Sequence, residues 1–174
     1  SRIDQIINEN KPLYDYSVNI DESTIISNGY FTSMKKSYVK AILCLFMYHE
    51  PKAFNDNSKI NVCNDWLKQK NSKNYHHFFP KGYLKKVGFR ENMINNILNI
   101  TIVDEHLNKS LIGSKAPSIY IKKFMKENSN LNKTLRTHLI NDIEGYGILS
   151  DDYNKFLKSR ANAVSEELKN RIIF

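Results

Sequence analysis

Apolar residues recur at helical spacing in two parts of the chain. Between Met34 and Phe46 they fall three or four positions apart, which places them on one face of a helix, and Pro51 lies just beyond its end. A second pattern of this kind follows the polar run 150–152 and predicts a long terminal helix. The residues expected on its inner face are Tyr153, Phe156, Leu157, Val164, Leu168 and Ile172.

Shorter patterns lie between these two helices. Val62, Trp66 and Leu67 predict a short helix, and Pro117 is expected at the first position of another. Residues 75–79 and 100–103 are rich in aromatic or β-branched side chains and predict two short strands. The predicted fold class is therefore α+β and mainly helical, with a two-stranded unit at its centre.

The length of 174 residues fits one domain that can bury most of its apolar surface. The opening of the chain is only weakly periodic, with Ile3, Ile6 and Ile7 on one helical face, and it lacks an initiator methionine. Residues 1–30 are therefore interpreted as a lead-in, the end of an upstream region, and residues 31–174 as a helical domain.

The charge of the chain is strongly positive. Lysine and arginine number 26 against 18 aspartate and glutamate, which gives a net charge of +8. Basic side chains bind phosphates and release counterions, so this excess favours a polyanionic partner such as nucleic acid. A basic surface is also common in other proteins, so charge alone does not decide the function.

Cysteine usage and hydropathy exclude several classes of protein. Cys44 and Cys63 form no CxxC pattern for zinc or a disulfide framework, which indicates a reducing cytoplasm. The longest apolar run, 41–47, is far shorter than the ~18 residues of a membrane span, and no signal peptide precedes it. The six glycines form no phosphate-binding loop. The chain is therefore predicted to be cytoplasmic, with no membrane span and no P-loop.

Candidate chemistry is concentrated around two adjacent histidines. His76 and His77 lie in the first predicted strand, ahead of Pro80. Neighbours on a strand point to opposite faces, so the two rings are expected to have different roles, one binding a metal ion and the other accepting a proton. Downstream, Asn99 precedes the second predicted strand, and a polar turn that contains Asn108 follows it.

This order of elements resembles the HNH nuclease finger, also called the ββα-metal finger. It is most similar to the variant ending in Asn, as in the HNH domain of RNA-guided CRISPR nucleases and the C-terminal domain of GmrSD-type restriction enzymes. Further similarities to the restriction enzymes are Lys81, the segment 115–120 and the segment 156–161. The resemblance implies an HNH finger over residues 75–115, embedded in the helical domain.

The resemblance also implies a function. It points to a metal-dependent DNA endonuclease, the nuclease part of a restriction or anti-phage defence protein that acts on foreign, modified DNA. A ParB-like nucleotide-using domain usually precedes this part in the GmrSD family, so such a domain is expected upstream. The alternative is a degenerate, non-catalytic finger that binds DNA or a protein partner through its basic face.

The same resemblance assigns residue roles. His77 is expected to be the general base, since imidazole titrates near neutral pH, and Asn99 to bridge the two arms of the finger. His76 and Asn108 are the expected ligands of a single metal ion. Rivals for the asparagine roles stay open: Asn96 for Asn99, and Asp104, Glu105 and His106 for Asn108.

The expected cofactor is one divalent ion, Mg²⁺ or Mn²⁺, with Ni²⁺ and Zn²⁺ as alternatives. Many members of the finger family have a carboxylate where His76 stands, and Mg²⁺ prefers oxygen ligands, whereas imidazole suits Mn²⁺, Ni²⁺ or Zn²⁺. The metal preference is therefore open. The expected contacts to DNA are Lys81, Lys109, Lys115, Arg136 and Arg160, although the two arginines could instead form salt bridges between helices.

Overall fold

A computed structural model of the chain describes residue 8 and residues 19–31, 37–60, 75–104 and 107–171, with the backbone alone at 108 and 109. In these ranges the fold is α+β and mainly helical, with a two-stranded antiparallel sheet. In chain order the elements are α1 (Glu22–Asn28), α2 (Ser37–Tyr48), β1 (Tyr75–His77), α3 (Lys81–Lys86), α4 (Glu91–Ile94), a 3-10 turn (Ile97–Asn99), β2 (Ile100–Ile102), a π-helical turn (Leu107–Ile112), α5 (Pro117–Glu127), α6 (Leu131–Arg136) and α7 (Tyr153–Lys169).

The helices that the apolar pattern predicts are confirmed where the structure describes them. Asp152 caps α7, because its side chain accepts a hydrogen bond from the Lys155 amide at 3.0 Å. Pro117 stands at the start of α5. The predicted beginning of α2, the short helix around Trp66 and Ile172 lie outside the described residues. The terminal helix α7 ends at Lys169, before the predicted inner position Ile172. None of the described helices is long and apolar enough to cross a bilayer.

The two predicted strands form the antiparallel sheet. Its register sets Tyr75 opposite Ile102, His76 opposite Thr101 and His77 opposite Ile100. All three residues of β2 are buried, whereas those of β1 are half-buried. The sheet therefore presents the histidine strand on the outer side of the core.

Aromatic packing fixes the chain where it leaves β1. The ring of Phe78 stacks on Phe156 of α7 with centroids 4.9 Å apart, and Phe79 contacts the same ring at 5.0 Å. The Tyr120 hydroxyl donates to the Phe78 carbonyl at 2.6 Å. Because α5 and α7 both hold this segment, the position of the preceding histidines is determined by the core.

The predicted lead-in takes part in this same core. Ile25 of α1 is fully buried among the core residues, and the amide of Ile97 donates to the Gly29 carbonyl at 2.6 Å. A Cβ atom at Gly29 would lie 2.5 Å from Asn96 Oδ1, so the backbone approaches closely only because this residue is glycine. In the described residues, the boundary predicted at residue 30 therefore does not separate two packing units.

A buried histidine contributes to the packing of the helical part. His138 is 2 % exposed, its ring contacts Phe54 edge-on at 4.9 Å, and its Nε2 lies 2.8 Å from the Lys52 carbonyl oxygen. A carbonyl only accepts, so Nε2 carries a proton and donates. Burial lowers the pKa of His138 to about 3, and the hydrogen bond to Lys52 only partly opposes this effect.

This pKa predicts a loss of stability in mild acid. The unfolded chain binds a proton at His138 below about pH 6.5, whereas the folded chain cannot do so until about pH 3. The contribution of His138 to the free energy of unfolding is therefore complete above pH 6.5. Below that pH the free energy of unfolding falls by up to about 1.4 kcal/mol per pH unit. Urea unfolding at several pH values should give a flatter dependence for His138→Gln, which can still donate to the Lys52 carbonyl. Equal slopes for the two proteins would contradict the prediction.

Candidate active site

His77 lies at the end of β1 and is half-buried. Its Nε2 is 2.9 Å from Oδ1 of Asn95, which follows α4. Burial lowers the pKa of His77, while the hydrogen bond to Asn95 acts in the opposite direction and the nearby Lys81 charge adds to the lowering. A lowered pKa keeps the imidazole neutral at physiological pH, the form in which it can accept a proton.

A charged network lies behind Asn95. The Asn95 Nδ2 donates to Glu91 Oε1 at 2.9 Å, and Lys81 Nζ donates to the same oxygen at 2.5 Å. Lys85 Nζ lies 3.5 Å from the other carboxylate oxygen. The hydrogen bonds from Lys81 and Asn95 lower the pKa of Glu91 to about 2, so this carboxyl is ionised at neutral pH. Lys81, expected to contact DNA, pairs with Glu91 in this structure.

Asn99 occupies the buried junction between the two strands. Its Oδ1 accepts from the Phe79 amide at 2.8 Å, and its Nδ2 donates to the carbonyls of Phe79 and Ile94, both at 3.0 Å. The side chain therefore joins the exit of β1 to the segment that enters β2. This is the position expected for a residue that bridges the two arms, and its part in catalysis stays a prediction.

Asn96, the rival of Asn99, makes different contacts. Its Nδ2 donates to the Ile26 carbonyl at 2.9 Å, and its Oδ1 accepts from the Leu98 amide at 3.0 Å. These bonds tie the loop before β2 to α1 and not to the histidine strand. Asn99 is thus the asparagine that contacts the segment after His77.

The expected metal ligands lie on two separate elements. His76 is on β1, where its carbonyl accepts from Thr101 Oγ1 at 3.2 Å, and Asn108 is in the π-helical turn after β2. Asp104, a rival for the ligand role, caps this turn by accepting from the Leu107 amide at 2.8 Å. The side chain of Asn108, and Glu105 and His106 as a whole, lie outside the described residues.

The donor set determines which ion could bind. In the described part of the chain, no group of three or more His, Cys, Asp or Glu side chains could hold a metal. An ion held by the His76 imidazole and the Asn108 amide oxygen would keep most of its coordination positions for water and substrate oxygens. Such a set fits a catalytic ion that is completed by phosphate better than a closed structural site.

Two of the expected DNA contacts, Lys115 and Arg136, are exposed. Lys115 Nζ donates to the Leu111 carbonyl at 3.0 Å, at the end of the π-helical turn. This end packs against α3, since a Cβ atom on Gly82 would lie 3.3 Å from the Ser114 Cβ.

Arg136, by contrast, lines a groove of about 460 Å³ with Asp142, Glu166 and Glu167. That acidic lining does not suit a phosphate, and the side chain of Lys109 lies outside the described residues.

Arg160 corrects one prediction. It is fully buried, and its Nη1 donates to the carbonyls of Leu98 at 2.6 Å and Ile100 at 2.8 Å. The guanidinium also lies over the Phe46 ring at 4.5 Å, and burial lowers its pKa to about 9. The assignment of Arg160 to DNA binding was wrong, because the side chain holds the start of β2 from inside the core.

Sequence reasoning missed Asn95 and Glu91. The available signal was their spacing of four, which sets two side chains on one helical face. That signal is weak, since it says nothing of the histidine strand against which the face packs. Arg160 also had a signal, because it stands four residues after Phe156 and four before Val164 on the inner face of α7.

Comparison with known proteins identifies no function. No protein family profile matches the chain, and a comparison with solved structures found no match. An uncharacterized protein of Methanocaldococcus jannaschii is 30% identical over an alignment 116 positions long, and the match covers 53% of this chain and 20% of that protein. The chain thus spans about a fifth of the relative's length.

Proposed function

We propose that this chain is the nuclease part of a metal-dependent DNA endonuclease that acts in restriction of foreign, modified DNA. The observation that supports it best is the pairing of His77 Nε2 with Asn95 Oδ1 at 2.9 Å, on a strand whose exit Asn99 fixes through Phe79. A half-buried, neutral imidazole held in one orientation is what a general base requires.

The reaction is hydrolysis of a phosphodiester. A water molecule attacks phosphorus, its proton passes to Nδ1 of His77, and the bond from phosphorus to the 3′ oxygen breaks. His76 and Asn108 would hold one divalent ion, which when bound stabilises the charge that develops on the leaving oxygen. The 3′ oxygen then takes a proton from solvent, and His77 returns its proton to water.

The partners follow from the charge and from the resemblance to GmrSD-type enzymes. The net charge of +8 favours a DNA backbone. Lys86 is exposed at the end of α3, and Lys115 is exposed in the segment before α5. An upstream ParB-like nucleotide-using domain would select the modified DNA or gate its cleavage. An enzyme of this class acts in the cytoplasm, where foreign DNA arrives.

The proposal predicts a specific metal dependence. At equal low concentration, Mn²⁺ or Ni²⁺ should support nicking of a supercoiled plasmid or of DNA with modified bases better than Mg²⁺, and chelation should abolish the nicking. Asn108→Ala should raise the metal concentration needed for half-maximal rate. Asn162→Ala, which replaces an exposed asparagine of α7, is the matched control and should change neither the rate nor the metal concentration needed for half-maximal rate.

Cleavage that survives chelation would reject the metal-dependent mechanism. If the chain cleaves neither DNA and calorimetry detects no ion with a duplex present, the nuclease proposal fails. DNA binding without cleavage would then favour the non-catalytic module.

A further inference from the structure

His77, Asn95 and Glu91 form a chain of side-chain contacts directed at one nitrogen of the imidazole. We infer that Asn95, oriented by Glu91, is a positioning residue that holds His77 in the tautomer protonated at Nε2 and leaves Nδ1 as the proton acceptor. This inference rests on the proposed function, because it concerns the base of the same reaction. Neither Asn95 nor Glu91 belongs to the residues that the resemblance assigns.

The direction of each hydrogen bond follows from the chemistry of Glu91. An ionised carboxylate only accepts, so the Asn95 atom 2.9 Å from Glu91 Oε1 is the amide nitrogen. The amide oxygen must then face His77 Nε2 at 2.9 Å. This oxygen also only accepts, so Nε2 bears the hydrogen. A neutral imidazole has a single N–H, and Nδ1 is therefore the nitrogen with a free electron pair.

Glu91 is itself held in place, so it can set the orientation of the amide. Lys81 Nζ donates to its Oε1 at 2.5 Å, and Lys85 Nζ lies 3.5 Å from its Oε2. Lys81 directly follows Pro80, where the chain turns away from β1. The ion pair therefore connects α4 to the chain just beyond the histidines, and it keeps a negative charge beside the Asn95 amide.

The backbone of Asn95 is anchored as well. Its amide donates to the Glu91 carbonyl at 3.0 Å, and its carbonyl accepts from the Phe31 amide at 2.6 Å. The side chain is thus supported from both sides. Loss of the carboxamide should release the ring of His77 while the surrounding backbone keeps its course.

Two readouts separate positioning from mere structural support. Asn95→Ala should lower kcat by about 10- to 100-fold with little change in KM, a loss comparable to that caused by removing the hydrogen-bond partner that orients a metal-binding histidine. In long-range ¹H–¹⁵N spectra, wild-type His77 should show the Nε2–H tautomer, and Asn95→Ala should show a mixture. Asn162→Ala is the control for both measurements.

A swap of the two partner groups provides the decisive variant. In the double variant Asn95→Asp with Glu91→Gln, the new carboxylate accepts from His77 Nε2, and the new amide donates to that carboxylate. The hydrogen bond at His77 Nε2 therefore has the same direction as in the wild type. The swap should recover most of the kcat that Asn95→Ala loses, and it should restore a single Nε2–H tautomer. Asn95→Asp alone sets two carboxylates together and should recover less.

The outcomes distinguish this inference from the proposed function. If the wild type cleaves DNA and Asn95→Ala cleaves it at an unchanged kcat, the inference is overturned and the nuclease stands. A wild-type His77 protonated at Nδ1 would also overturn the inference, whatever the activity. If the wild type cleaves nothing, the proposed function fails and the catalytic role of Asn95 fails with it, while the spectra still report whether Asn95 sets the tautomer.

Discussion

Replacing His77 by alanine should lower the rate of DNA cleavage by about 10²- to 10⁴-fold, the usual cost of losing a general base. The fold should persist, because the half-buried ring contacts Asn95 while the aromatic core behind it is formed by Phe78 and Phe79. Single-turnover nicking measures the chemical step, and gel shifts measure DNA binding, which should stay within about threefold of the wild type if only the base is lost.

His49→Ala is the matched control for this experiment. His49 is also a half-buried histidine, but its Nε2 lies 3.3 Å from Glu167 of α7, in the groove that Arg136 lines. Its removal should leave the cleavage rate unchanged. A His77→Ala enzyme that cleaves at the wild-type rate would end the assignment of the base, and equal losses in both variants would indicate a general effect on folding.

The elements of the fold were predictable where one local pattern decides them. Asp152 ahead of an apolar periodicity identifies α7, and Pro117 marks the start of α5, because capping and proline geometry act over a few residues. The second strand was recognisable from its β-branched residues. These features need no knowledge of distant parts of the chain.

The misassignment of Arg160 has a physical cause. Arginine is usually exposed, and in a chain of net charge +8 it suggests a phosphate contact. The carbonyls of Leu98 and Ile100 and the Phe46 ring offset part of the cost of its burial, while its Nε and Nη2 have no hydrogen-bond partner among the described residues. The two carbonyls lie 62 and 60 residues before Arg160 in the sequence, so no local pattern indicates them.

The supporting network of His77 was hidden for a similar reason. The contact between His77 and Asn95 spans 18 residues, and the one between Lys81 and Glu91 spans 10. The first contact joins β1 to the residue after α4, and the second joins α3 to α4, so both depend on how these elements pack together. A histidine pair can thus be singled out from sequence as a candidate site, whereas the residues that contact it emerge only from the fold.

The ion pair of Lys81 with Glu91 bears on the expected role of Lys81 as a DNA contact. Its pairing with Glu91 means that its charge orients the carboxylate beside Asn95. If the chain binds DNA as proposed, contacts near the histidine strand would have to come from exposed lysines such as Lys86 and Lys115. Lys81 therefore shows that a basic residue near the histidines can serve the internal hydrogen-bond network and need not face a phosphate.

Replacing Asn99 by alanine should have the largest effect on stability. The side chain is fully buried and makes three hydrogen bonds, to the Phe79 amide and to the carbonyls of Phe79 and Ile94. Asn99→Ala leaves these three backbone groups without partners in a site closed to water, and each such group costs about 1 to 3 kcal/mol. Urea unfolding should therefore show a loss of roughly 3 kcal/mol or more.

Two comparisons make the Asn99 prediction specific. Asn99→Asp keeps an acceptor for the Phe79 amide but cannot donate to the two carbonyls while it is ionised, so it should lose nearly as much stability as Asn99→Ala. Asn162→Ala removes an exposed asparagine of α7 and should change the unfolding free energy by less than about 0.5 kcal/mol. Where Asn99→Ala still folds, it should cleave more slowly even at saturating metal, because the exit of β1 beside His77 is no longer held. An Asn99→Ala protein as stable as the Asn162→Ala control would mean that the junction between the strands does not depend on this side chain.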